Sequence, residues 1–173
     1  MRILGINCMN HDAAMAVVEI KDGIGKILWA AHAERYSKIK NDHYLNQAIV
    51  NEAMTYGPFK KVVYYEKPWL KKTRQFYAGQ YGTAFSYTEL PSWHLEHFGI
   101  KIDEYVKHHD SHAAAGYFTS PFNEATILTV DAIGEWDTVS ISTAEKVWIE
   151  RKETIKYPHS RGILYSAFTH RCG

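Results

Sequence analysis

Apolar positions fall in short runs separated by turn residues along most of the chain, and these runs predict the elements. Residues 2–8 form an apolar run ending in polar side chains, the pattern of a buried first strand. His11-Asp12 predicts a turn, and residues 13–20 a second strand closed by Lys21-Asp22-Gly23, a hairpin signal. Residues 26–33 read as a third strand, so the first three strands should form an antiparallel meander. Asp42 is placed to cap a helix running to about Tyr56, where Gly57-Pro58 stops it. Residues 61–65 predict a fourth strand. The aromatic stretch 68–99 predicts helical pieces without a regular pattern.

Residues 101–107 lead into a predicted helix over 108–118, broken by Pro121. Three further strands are expected at 125–131, 137–143 and 147–155. The order of elements predicts an α/β architecture, a mixed sheet with flanking helices. It is compatible with the ribonuclease-H-like half of the actin/Hsp70-type fold, although element order alone does not single that fold out.

Composition narrows the partners. A net charge of +1 gives no reason to expect nucleic acid or an anionic membrane as a partner. No apolar run approaches the ~20 residues of a membrane span. The strand pattern that begins at Arg2 leaves no room for a signal peptide, and the two cysteines, Cys8 and Cys172, read as free thiols; together they predict a cytoplasmic protein.

The sharpest local chemistry is His108-His109-Asp110-Ser111-His112. On a helix, His108 and His112 project from one face and can reach one ion, with His109 and His112 as a competing pair. Neutral imidazole suits zinc, iron or nickel. A polar helix start with solvated histidines is the plainer alternative. Downstream, Leu128-Thr129-Val130-Asp131 is an apolar strand ending in a carboxylate, and Ala132-Ile133-Gly134-Glu135 reads as a glycine-containing turn whose N–H groups could meet anionic oxygens. Two histidines and one carboxylate resemble a facial triad with open positions. In the turn at residues 7–14, His11 has the ordinary pKa of ~6.5 that suits a general acid or base. Arg35, Lys38 and Lys40 cluster after the third strand, where cations could neutralise a phosphate or acyl phosphate.

Taken in order, these pieces resemble the amino-terminal domain of the O-carbamoyltransferase family of nodulation-factor and antibiotic carbamoyltransferases. The matching residues are Gly5-Ile6 with His11-Asp12-Ala13, Glu34-Arg35 with Lys40, His108-His109 with His112-Ala113, Val130-Asp131 with Gly134-Glu135, and Pro158-His159-Ser160 with Gly162 and Tyr165. The resemblance implies that residues 1–173 are the first lobe of an actin/Hsp70-type transferase domain. The second lobe and a carbamoyl-adenylate-forming domain would lie outside them, on a carboxy-terminal segment or a separate polypeptide. It further implies transfer of a carbamoyl group, from an adenylate made of carbamoyl phosphate and ATP, to a small-molecule hydroxyl acceptor. His108, His112 and Asp131 would hold a divalent metal, iron in the family, with zinc as the other candidate. His11 and Lys40 would act in catalysis, and Arg35 and Gly134 at the nucleotide. A fourth ligand, an aspartate, would come from the second lobe.

Ala14, Ala132 and Arg161 depart from the family pattern of serine, glycine and leucine. Ala132 matters if its turn requires φ > 0, where alanine costs roughly 1 kcal/mol or more. Two other function classes compete: a metal- or nucleotide-binding lobe without catalysis, and a metal-dependent hydrolase. The absence of an HExxH arrangement weighs against the hydrolase. A lone lobe supplies only part of the pocket, so it is expected to be catalytically silent, and its exposed cleft-facing apolar surface predicts self-association or a requirement for a carboxy-terminal partner.

Overall fold

A computed structural model describes all residues, 1–173. In chain order the elements are β1 (Arg2–Asn7), β2 (Ala14–Lys21), β3 (Ile24–His32), α1 (Glu34–Ser37), α2 (Gln47–Met54), β4 (Lys61–Tyr64), α3 (Pro68–Tyr77), α4 (Tyr81–Phe85), a 3-10 turn (Tyr87–Glu89), α5 (Pro91–Glu96), β5 (Glu104–Tyr105), α6 (His108–Phe118), β6 (Glu124–Gly134), β7 (Asp137–Glu145), β8 (Trp148–Lys156) and α7 (Arg161–Cys172). They form two compact units. One comprises residues 1–65 and 81–106, the other residues 66–80 and 107–173.

The first unit is a five-stranded mixed sheet in the order β3-β2-β1-β4-β5. The expected meander is present: β1 pairs antiparallel with β2, and β2 with β3, while β4 joins β1 in parallel. The β2–β3 turn takes φ of +53° at Asp22 and +78° at Gly23, the left-handed pair that a tight hairpin needs. Alternation along β1 and β2 turns Leu4, Ile6, Met15 and Val17 into the core, where Ile49, Val50 and Ala53 of α2 join them. Fully burying a side chain of the size of Ile49 contributes about 1.5–3 kcal/mol.

Asp42 does not cap α2. The cap is Asn46, whose Oδ1 accepts from the backbone N–H of Ala48 at 3.0 Å and Ile49 at 3.2 Å. Asp42 lies four residues earlier and makes a local turn, its Oδ1 accepting from Tyr44 N–H at 3.0 Å. Both residues have the right chemistry, so the cap is decided by where the apolar face of α2 docks.

The second unit is a three-stranded antiparallel meander, β6-β7-β8, with α6 and α7 packed on it. Its interior is polar: Glu66, His108, His109, Thr129, Glu135, Asp137, Thr138, Ser140 and Ser142 are all buried, beside Ala113, Tyr117 and Ala144. Leu128, Val130, Ile141 and Ile155 are exposed.

β6 runs three residues beyond the expected end at Asp131, and the turn expected at 132–135 is displaced to Glu135 and Trp136. Gly134 closes the strand, and the left-handed residue is Glu135, at φ +59°. Ala132 is not in a positive-φ conformation, so it bears no strain there. Between the pairs Val130–Val139 and Gly134–Asp137, residues 131–133 face Thr138 alone, a bulge of three residues against one. α7 is an element that the periodicity did not predict. Ser160 caps it, its Oγ accepting from Ile163 N–H at 3.0 Å. No helix in the chain is long and apolar enough to cross a membrane.

Candidate metal centre and loop sites

α6 begins where the chain leaves residue 107 in extended conformation, and its first turn lacks a side-chain cap from its own N-cap, Lys107. The carboxylate of Glu135 replaces it, accepting from the backbone N–H of His108 at 3.3 Å and of Lys67 at 2.6 Å. Burial pushes the Glu135 carboxyl up, although both N–H donors oppose the shift. Asp110 in the first turn suits the positive end of the helix dipole and pairs with Arg151, which also holds Asp137 of β7. α6 is thus fixed to its sheet by charges and hydrogen bonds.

The helix spacing places His108 and His112 together, as expected. Their Nε2 atoms lie 3.0 Å apart. The bulge in β6 delivers Asp131 to the same point, its Oδ2 being 2.9 Å from His108 Nε2 and 3.8 Å from His112 Nε2. One ligand atom from each of the three residues falls within 4.8 Å of the others. The competing pair is not formed: His109 turns inward, buried, with Nδ1 at 2.9 Å from Ser140 Oγ.

This donor set fits a divalent ion. With metal–nitrogen bonds of about 2.0–2.1 Å, two nitrogens on neighbouring corners of one ion stand roughly 3.0–3.4 Å apart. The observed Nε2–Nε2 separation falls in that interval. Two imidazoles and one carboxylate with remaining positions open are also a recognised set for iron or zinc.

Charge is balanced around His108 without any ion. Burial acts against its protonation, but the hydrogen bond to Asp131 and the nearby carboxylate of Glu66 prevail and raise its pKa from 6.5 to about 9. The same pairing with His108 draws Asp131 down from 3.8 to about 2 against a smaller effect of burial. Glu66 lies 3.5 Å from His108 Nδ1 and 3.0 Å from Lys71 Nζ. Burial alone would raise its carboxyl, and these two cations hold it below the usual range.

Two glycines allow the close packing. A Cβ at Gly134 would stand 2.4 Å from His108 Cδ2 and 2.9 Å from His109 Cδ2. A Cβ at Gly162 would stand 2.6 Å from the Asp131 carbonyl oxygen and from Ala132 N. Gly134 is therefore the floor under the two imidazoles, and Gly162 lets α7 press on the bulge. Glu66, Ser140 and Arg151 are site-building residues that the sequence reading assigned no role, and His109 buttresses the sheet instead of competing for an ion.

His11, Arg35 and Lys40 lie exposed in the first unit, His11 and Lys40 on loops and Arg35 on the short helix α1. His11 Nδ1 is 2.8 Å from Asp12 Oδ2, and this contact, against slight burial, lowers the Asp12 carboxyl, with His32 and Lys40 adding charge in the same direction. Lys40 Nζ and Arg35 Nη2 approach Glu34 at 3.5 and 3.9 Å. The two loops are joined by backbone bonds from Ala13 N–H to the Asp42 carbonyl and from Ala33 N–H to the Ala13 carbonyl, both 2.7 Å. His11 and Lys40 consequently share one neighbourhood.

A curated relative, an uncharacterised protein of Synechocystis sp., is 32% identical over 200 residues that include 99% of this chain. The chain spans about a third of that relative's length, 32% of it. Among solved structures, an Aquifex aeolicus PPX-GPPA enzyme matches with a TM-score of 0.48 at 14% identity, covering 97% of this chain and 56% of the other. A type II variant of the Aquifex aeolicus Ppx/GppA phosphatase gives 0.47 at 16% identity, covering 98% and 55%. The family described as carbamoyltransferase N-terminus matches residues 71–173, well over half of the chain, including every residue of α6 and of the bulge that carries Asp131. The chain belongs to the carbamoyltransferase N-terminus family.

Proposed function

We propose that residues 1–173 are the metal-binding part of an enzyme that moves a carbamoyl group from carbamoyl-adenylate to a hydroxyl of a small-molecule acceptor. The observation that supports it most is the convergence of His108, His112 and Asp131 within a region matched by the family. In this reading the two units belong to an actin/Hsp70-type lobe, and carbamoyl phosphate and ATP are consumed by a separate adenylate-forming domain. The enzyme works in the cytoplasm. Iron is the favoured ion, with zinc as the alternative.

Bound at the three residues, the ion would neutralise phosphate oxygens and polarise a carbonyl. His108, His112 and Asp131 hold it and leave positions open. In the first unit, His11 accepts the acceptor hydroxyl's proton, and its contact with Asp12 fixes the ring so that one nitrogen remains for that task. Lys40 and Arg35 attract the anionic part of the adenylate. Gly134 contributes by leaving room for the His108 ring against β6.

The decisive experiment is a pair of measurements. Titration of metal-free protein with Zn2+ or Fe2+ should show one site, and His112→Ala should weaken it by well over tenfold. Unchanged affinity would remove the metal assignment. Carbamoyl transfer should then appear when the remaining segments are supplied with residues 1–173, and not with residues 1–173 alone. Metal binding without transfer, even with the remaining segments present, would favour a non-catalytic binding lobe.

A further inference from the structure

We infer that Glu66 is a positioning residue of the metal centre: its buried carboxylate engages His108 through Nδ1 and so commits Nε2 to the ion. This rests on the metal reading above.

An imidazole can ligate through either nitrogen, and the partner of the other nitrogen decides which. His108 is flanked on both edges. Nε2 faces Asp131 at 2.9 Å and His112 at 3.0 Å, while Nδ1 is buried without a hydrogen bond and its charged neighbour is Glu66 Oε2 at 3.5 Å, an ion-pair approach. A carboxylate behind a ligating histidine fixes its tautomer and orientation and raises the basicity of the nitrogen that binds.

Apolar packing does not explain Glu66. The residue is 4% exposed, and a carboxylate taken out of water is costly unless charges meet it. Lys71, one turn into α3, meets Oε1 at 3.0 Å. That leaves Oε2 for His108. A second carboxylate divides the work: Glu135 accepts from the backbone N–H groups of Lys67 and His108, so it fixes the backbone at both places. Glu66 restrains the ring, Glu135 the main chain. Loss of the Glu66 charge should therefore loosen the imidazole while the α6 terminus stays in place.

The test is Zn2+ competition against a chromophoric chelator with wild-type protein, Glu66→Gln and His112→Ala. Glu66→Gln keeps the side-chain volume. It should retain a cooperative thermal transition and bind Zn2+ about 10–100-fold more weakly, as loss of an outer-sphere partner of a ligand does. Equal affinity in a folded variant would overturn the inference. Long-range nitrogen–proton correlation of the histidine rings in Zn2+-loaded wild-type protein gives an answer that does not depend on the variant. The proton of His108 should sit on Nδ1 and the metal on Nε2, and the reverse arrangement would overturn the inference too. Failure of wild-type protein to bind Zn2+ would instead remove the metal reading, and this inference with it.

Discussion

The two units solve opposite problems. The first buries Leu4, Ile6, Met15, Val17, Ile49 and Leu95, and among its buried residues the only polar one is Asp42. Its candidate site residues, His11 and Lys40 on loops and Arg35 on α1, are exposed. The second unit buries charges, histidines and hydroxyls, and leaves Leu128, Val130, Ile141 and Ile155 in contact with solvent. An apolar core leaves the polar side chains of the first unit at its surface. In the second unit buried His108 is held between charged partners, and it places the half-buried Asp131 and the exposed His112 beside it. Stability should thus reside in the first unit and preorganisation in the second.

Truncation in the apolar core should have the largest effect on stability. Leu4→Ala should cost about 2–5 kcal/mol in chemical denaturation, and should leave Zn2+ affinity of the folded fraction unchanged. A parallel loss of affinity would break the separation between the units. Gly134→Ala should follow. Its Cβ would overlap His108, so about 1–3 kcal/mol of stability and at least tenfold in Zn2+ affinity should be lost together. Gly5→Ala is the matched control in the first unit, because its Cβ would meet nothing closer than 3.8 Å.

The exposed face of the second sheet gives a third outcome. Residues 1–173 should self-associate in light scattering, and the pair Leu128→Lys with Val130→Lys should shift them toward monomer. Unchanged association in that variant would place the contact elsewhere.

The pH response sharpens the contrast further. His108 is raised to about 9 from 6.5, so its contribution to stability is complete below pH 6.5 and lost as pH rises through about 9. Asp131 is lowered to about 2 from 3.8, so its contribution is present above pH 3.8 and lost as pH falls through about 2. Protein prepared without metal should melt highest between about pH 4 and 6.5. Zn2+ binding should behave inversely and tighten as pH climbs toward 9, since the ion must displace the His108 proton. Affinity independent of pH between 6 and 9 would show that His108 is not a ligand.

The smallest expected change is Lys40→Ala. The side chain is exposed, so stability should move by less than about 0.5 kcal/mol and metal content not at all, while carbamoyl transfer by the complete enzyme should fall. Loss of metal in this variant would contradict separate roles for the two loop groups and the metal ligands.

The sequence exposed much of this through periodicity and little of it through partners. The strand meander and the bounds of α6 followed from alternation and from the breaker at Pro121, both local signals. The pairing of His108 with His112 followed from helix geometry. Asp131 was legible as a carboxylate on an apolar strand, but the bulge that aims it was not, because a bulge is a property of two strands at once. Glu66 could not be recognised. A glutamate before Lys67-Pro68 looks solvated, and only its long-range contact with His108 shows otherwise. α7 was missed because apolar and polar residues alternate on it without a face, and all of it but Gly162 is exposed.

The bulge has an implication for how this hairpin can change length. Residues 131–133 face Thr138 alone, and local bonds compensate for the interruption: Ala132 N–H donates to Asp131 Oδ1 at 2.6 Å, and Ser160 Oγ donates to the Ala132 carbonyl at 2.6 Å. A hairpin shortened by two of these three residues would restore one-to-one pairing. Any carboxylate kept in it would then occupy a regular ladder position instead of the bulge that brings Asp131 Oδ2 to 2.9 Å from His108 Nε2. Straightening the hairpin should therefore cost the three-residue cluster while leaving the sheet intact.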